Sequence, residues 1–133
     1  MSQENVEVVR RGLELWNRGE VTAVVDDYAE DAEVVTDPRF PEGGTFRGRQ
    51  ELLRWFEGVR EGWVHGGSII VRGVTEVGDQ VLVPSEWRGT GETSGIDAVV
   101  PVTMLFTVQD GQITRLQYFL DHDEALEAVE LRE

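Results

Sequence analysis

The sequence predicts an α+β fold in which helices pack against a curved, mainly antiparallel sheet. Three observations point there. Apolar residues recur at helical spacing through the first half, the period changes to that of strands from residue 68, and Gly78-Asp79 and Asp110-Gly111 mark tight hairpin turns. The expected order is α-α-β-α-β-β-β-β-α, read as one domain over residues 1–133.

Each element has its own signal. Val6, Val9, Leu13 and Trp16 share one helical face, and Asn17-Arg18-Gly19 reads as a stop. A second helix carries Val21, Val24, Val25 and Tyr28 on one side. "AEVVTD" is a short strand that runs into Asp37-Pro38, and residues 38–48 read as a Pro- and Gly-rich loop holding Phe40 and Phe46. Residues 49–61 form a third helix with Leu52, Leu53, Trp55, Phe56 and Val59 on a broad apolar face. "SIIVRGVTEV" and "QVLVPSEW" then flank Gly78-Asp79, while "DAVVPVTMLFTV" and "ITRLQYFL" flank Asp110-Gly111, a type I′ signal. "RGTGETSG" connects the hairpins, and a last helix begins near Asp121, where Asp-x-x-Glu to Glu124 resembles a capping box.

The faces of the longest strand carry a second message. Val100, Val102, Met104, Phe106 and Val108 alternate with Val99, Pro101, Thr103, Leu105 and Thr107, so both faces are largely apolar. One face packs on the helices, and the other needs a cover that little remaining chain supplies. The expectation is a homodimer through the sheet. Pro84 and Pro101 within strands predict bulges or edges, hence a bent sheet enclosing a cone-shaped cavity.

Composition narrows the chemistry. The net charge of −14, from 26 acidic and 12 basic residues, argues against nucleic acid and against an anionic membrane surface. With no charged-then-apolar leader and no long apolar run, a soluble, cytoplasmic setting is expected. The chain has no cysteine, and every basic side chain apart from its two histidines is arginine. Thiolate nucleophiles, zinc-thiolate sites, Schiff bases and a Walker-type phosphate loop are therefore excluded. Only His65 and His122 are present, which excludes a multi-histidine metal centre. Glu30, Asp31 and Glu33 form an acidic run without a glycine-shaped loop, read as a solvated face. No metal and no cofactor are expected. Carboxylates, Tyr, Ser, Thr, Arg and Trp remain for chemistry.

The stretches "LWNRGEVTAVVDDYAEDAEVVTDP", "GTFRGRQELLRWF" and "FTVQDGQITRLQYFLDHDEAL" resemble the nuclear transport factor 2-like superfamily, and more narrowly its SnoaL-like group. That group includes polyketide cyclases, ketosteroid isomerase and limonene-epoxide hydrolase. The resemblance covers nearly the whole chain and implies a cone-shaped pocket and frequent dimerisation. It does not specify a reaction, because the fold hosts isomerases, cyclases, hydrolases, dehydratases and non-catalytic members. The general-base Asp of the ketosteroid isomerases corresponds to Asp37 in the Asp37-Pro38 pair, with one residue of slack. The oxyanion-hole Tyr and Asp of those enzymes fall here near Gly12 and on Thr103, so steroid isomerisation is not expected. Where limonene-epoxide hydrolases carry a catalytic Asp, Tyr118 stands.

Asp37 has two readings, a general base at the mouth of a pocket or the first residue of a turn. Tyr118 shares a face with Leu116 and Leu120 and points inward, as a hydrogen-bond donor or as a core tyrosine. Trp16, Phe40, Trp55, Phe56, Trp63, Ser85, Trp87 and Thr103 are the candidate substrate contacts, the aromatics among them equally suited to packing. The expected ligand is a small hydrophobic, oxygenated molecule. Acid/base enzyme, non-catalytic binding protein and dimeric scaffold all remain open, with a transport-adaptor role more distant.

Overall fold

The computed structural model describes residues 2–40 and 43–132. Its elements are α1 (Ser2–Asn17), α2 (Val21–Val25), β1 (Tyr28–Val35), β2 (Thr45–Arg47), α3 (Arg49–Glu61), β3 (Ser68–Val71), β4 (Thr75–Val77), β5 (Gln80–Thr90), β6 (Asp97–Gln109), β7 (Gln112–Phe119) and α4 (His122–Arg132). The seven strands make one sheet in the order β2-β1-β7-β6-β5-β3, with β4 also paired to β5. All pairings are antiparallel except β1 with β7, so the α+β architecture and mainly antiparallel sheet hold.

Three local expectations change. Tyr28 opens β1 rather than ending the second helix, which stops at Val25. Thr45–Arg47, read as loop, is a three-residue strand paired with Glu33–Val35. The strand expected before Gly78 is split into β3 and β4, and Pro84 lies opposite the break. A proline has no N–H to give a neighbour, so the interruption falls where the ladder has no donor. Pro101 sits on β6 beyond Thr103, where pairing with β7 ends, so its missing N–H falls at an edge. The β5–β6 register runs unbroken past both prolines, and the irregularities lie at Thr107/Val108 and between Tyr28 and Glu33. Edges, not bulges, accommodate the two prolines.

At the second hairpin, Asp110 (φ 52°) and Gly111 (φ 78°) are both left-handed, as a type I′ turn requires. The last helix is capped by Asp121, whose Oδ1 accepts from the backbone N–H groups of Asp123 and Glu124. Glu124 reaches Arg39 rather than closing the reciprocal half of a capping box.

The concave face of the sheet, with Val81, Val83, Trp87, Val102, Met104, Phe106, Leu116 and Tyr118, packs on Val9, Leu13 and Trp16 of α1 and on Leu52 and Phe56 of α3. The convex face is partly covered from within the chain. Ala125 and Val129 of α4 bury Leu82, Leu105 and Phe119 in a second cluster. This corrects the expectation that the chain had too little left over to cover that face. Farther along β6, Val99 stays 56% exposed and Pro101 is exposed. Among the described residues no helix is long and apolar enough to cross a membrane.

Candidate functional site: an aromatic-walled cone

Asp37 is the residue on which the sequence placed most weight, and its surroundings are unambiguous. Its carbonyl accepts from Phe40 N–H at 2.9 Å, closing a turn with Asp first and Pro second. Its Oδ1 accepts from Arg39 N–H at 2.9 Å and from Arg39 Nε at 2.7 Å. Its Oδ2 accepts from Arg39 Nη2 at 2.7 Å and from Leu120 N–H at 2.9 Å. The Arg39 guanidinium, opposed by burial and aided by the Leu120 amide, holds the carboxyl well below the usual carboxylate range. Only 2% exposed, the carboxylate has both oxygens doubly engaged. A proton acceptor needs a free lone pair and a pKa near its working pH, and Asp37 has neither. It fastens the turn that carries Phe40 to the end of β7.

The cone interior lies elsewhere. A cavity of about 30 Å³ is lined by apolar side chains of α1, α3 and the sheet, among them Trp16, Phe56, Met104 and Leu116. Its lining also includes Tyr28, Tyr118 and Trp87, but among the described residues no carboxylate, arginine or histidine. Neither phenol has a hydrogen-bond partner among the described residues. Burial pushes the Tyr28 phenol well above its ordinary pKa, helped by Tyr118 and Asp27. Burial likewise raises Tyr118, with the adjacent Trp55 indole acting in the opposite direction. The indole N–H of Trp55 nevertheless falls short of hydrogen-bond geometry, as does that of Trp87. Both phenols therefore stay protonated at neutral pH and available to donate.

A second, open space adjoins the first. A groove of about 780 Å³ runs along α3 between Phe40, Phe46, Trp55, Val59 and Trp63, with Glu51 and Arg54 at its rim. Phe40 stands 5.8 Å from the Tyr118 ring and 6.1 Å from Trp87, while Trp55 stands 6.3 Å from Tyr118. Phe40 and Trp55 thus face the groove on one side and the cavity-lining rings on the other. They partition the two spaces.

The sequence candidates distribute as follows. Trp16, Phe56, Trp87 and Tyr118 line the cavity, and Phe40, Trp55 and Trp63 line the groove. Trp63 lies flat over Gly89, where an added Cβ would sit 2.7 Å from its ring. Ser85 faces the core but donates to Val102 O at 2.6 Å and lines neither space. Thr103 lies on the convex face, 2.9 Å from His122 Nδ1, and does not reach the cone. Glu30 and Asp31 are exposed, and Glu33 pairs with Arg47 and Arg115. Tyr28 is the cavity residue that sequence reasoning missed. Its assignment to the end of a helix hid it, and the irregularity between Tyr28 and Glu33, which leaves Glu30 exposed, breaks the alternation that would have pointed to it.

The SnoaL-like domain family matches residues 9–116. The chain belongs to that family. No curated protein matches the sequence. Among solved structures, an NTF2-like protein from Burkholderia thailandensis superposes with a TM-score of 0.80 at 23% identity, over 96% of this chain and 97% of that one. A protein from Jannaschia sp. CCS1 whose name calls it a SnoaL-like polyketide cyclase gives 0.76 at 23% identity, over 97% and 93%. TerC, co-crystallised with polyporic acid, gives 0.77 at 21% identity, over 96% and 98%. At these identities the likeness establishes the SnoaL-like, NTF2-like fold.

Proposed function

We propose that this SnoaL-like protein binds a small hydrophobic, oxygen-bearing molecule in its cone, and that Tyr28 and Tyr118, not Asp37, hold the oxygen. The observation that carries the reading is the pair of buried, protonated phenols lining a cavity that is otherwise apolar among the described residues. A buried phenol seeks a hydrogen-bond partner, and a ligand carbonyl would accept from it. The cavity has room for about one water molecule. A ligand therefore arrives from the groove by displacing the Phe40–Trp55 partition. Any turnover rests on polarising a carbonyl by phenol donation, because no base lines the cavity among the described residues. Polyketide-cyclase naming among proteins of the same fold, and the ligand-bearing TerC, agree with a hydrophobic oxygenated ligand class.

The test is binding calorimetry on a panel of hydrophobic ketones with Tyr28→Phe and Tyr118→Phe. Each variant is expected to bind about tenfold more weakly. Their melting temperatures should stay close to that of the parent, since neither hydroxyl donates to a described residue. Affinities unchanged in both variants contradict the assignment.

For assembly we propose a homodimer through the part of the convex face that α4 leaves open. Exposed Val99 and Pro101 supply the apolar centre. Glu86, paired with Arg72 and Arg88, supplies a polar flank.

A further inference from the structure

Tyr28 sits at an irregular point of the sheet. It pairs with Ile113, and Glu33 pairs with Arg115, so five steps along β1 span only two along β7. Tyr28 is thus a single register position with unpaired backbone after it. A slip of one residue against β7 would turn its side chain to the opposite face and bring Asp27 or Ala29 into its place. Ile113 N–H donates to Asp27 O at 2.9 Å. Successive carbonyls of a strand point to opposite sides, so the Tyr28 carbonyl aims away from β7. No strand meets it there, because β2 pairs only with Glu33–Val35.

Arg49 takes the place of the missing strand. The first residue of α3, it donates to the Tyr28 carbonyl from Nε at 2.9 Å and from Nη2 at 2.7 Å. One planar fork meets both lone pairs of that oxygen, a geometry that a lysine does not present. Two turns along the same helix, Phe56 meets the Tyr28 ring at 5.7 Å, and Leu52 between them is fully buried. Beyond the irregular stretch, Gly48 N–H donates to Ala32 O at 2.8 Å. The start of α3 therefore holds that stretch at both ends.

Resting on the pocket reading above, we infer that Arg49 is the positioning residue for Tyr28: by holding the Tyr28 carbonyl it fixes the register in which the phenol faces the cone. Arg49 does not line the cavity and acts only through Tyr28. A mere fastener between helix and sheet would loosen the whole fold, whereas a register pin moves one tyrosine.

The chain has two tyrosines, so ¹³C-labelled tyrosine rings give two sets of NMR signals, assigned with Tyr28→Phe. Their broadening by a soluble gadolinium chelate at neutral pH reads exposure, and both should be shielded in the parent. In Arg49→Gln the Tyr28 signals should broaden while Tyr118 stays shielded. Arg49→Lys, with one donor in place of the fork, should fall between. Arg47→Gln removes a neighbouring charge, paired with Glu33, and should leave Tyr28 shielded. Calorimetry with 2-acetonaphthone completes the test. Tyr28→Phe should weaken its binding about tenfold in the parent and not at all in the Arg49→Gln background. Tyr28 shielded in both Arg49 variants, both tyrosines exposed together, or Tyr28 exposed in Arg47→Gln as well overturns the inference. Should Arg49→Gln fail to fold, the lysine variant alone decides by the same signals. No binding of 2-acetonaphthone by the parent, with Tyr28 alone exposed in the Arg49 variants, contradicts the pocket reading while the register role stands.

Discussion

Asp37 and Arg39 face each other across a tight turn as a two-pronged ion pair, with Nε 2.7 Å from Oδ1 and Nη2 2.7 Å from Oδ2. The same guanidinium reaches Glu124 on α4, and the same carboxylate reaches the Leu120 amide just past β7. One turn is thereby tied to a helix and to a strand end, and Phe40 rides on it. The arrangement turns a residue placed like a catalytic base into a fastening for the aromatic partition.

Asp37→Asn should cost about 1–3 kcal/mol in urea unfolding at neutral pH, because an amide sets a donor against donors at a buried site. The folded-state pKa of Asp37 is depressed, so the unfolded chain binds its proton more readily. Its contribution is present in full above the unfolded value of about 4 and is lost as the pH falls below it. The difference in stability between parent and Asp37→Asn should therefore shrink on acidification. A constant difference from neutral pH down to strong acid contradicts the ion pair.

Phe40→Ala removes the ring that touches Tyr118, Trp55 and Trp87 together. Phe40 is half-buried, so the cost should be about 1–3 kcal/mol, below that of a fully buried Phe. Opening the partition should raise quenching of tryptophan fluorescence by acrylamide and speed ligand association. Unchanged quenching would mean that Phe40 separates nothing.

Val99→Asp places a charge at the centre of the open convex patch. Light scattering coupled to gel filtration should give a dimer for the parent and a monomer for the variant, with the melting temperature of the monomer little changed. A parent that is monomeric at tens of micromolar removes the dimer proposal.

Much of the frame was legible because its signals are local. Helix α3 falls on the predicted residues 49–61, and the Asp110-Gly111 turn has the two left-handed residues its sequence demands. Tyr118 was placed inward from its spacing with Leu116, and both line the cavity. Strand β2 was missed because three residues between glycines carry too short a pattern to alternate. Thr103 was legible and misjudged, since alternation already put it opposite Met104. The state of Asp37 was only half legible. Arg39 is two residues away, but the Leu120 amide is 83 residues distant and arrives only through the parallel pairing of β1 with β7. The unsatisfied indoles depend on how four rings stack, which no spacing in the sequence encodes.

The central claim is that Asp37 is a fixed anion and that the polar chemistry of the cone belongs to its phenols. An NMR titration of the Asp37 side-chain carboxyl carbon tests it most directly, with Asp37→Asn confirming the assignment. The account predicts a pKa clearly below the value of about 3.9 for a free Asp. A pKa raised above that value would mean a desolvated carboxylate open to the cavity, and would restore Asp37 as the base.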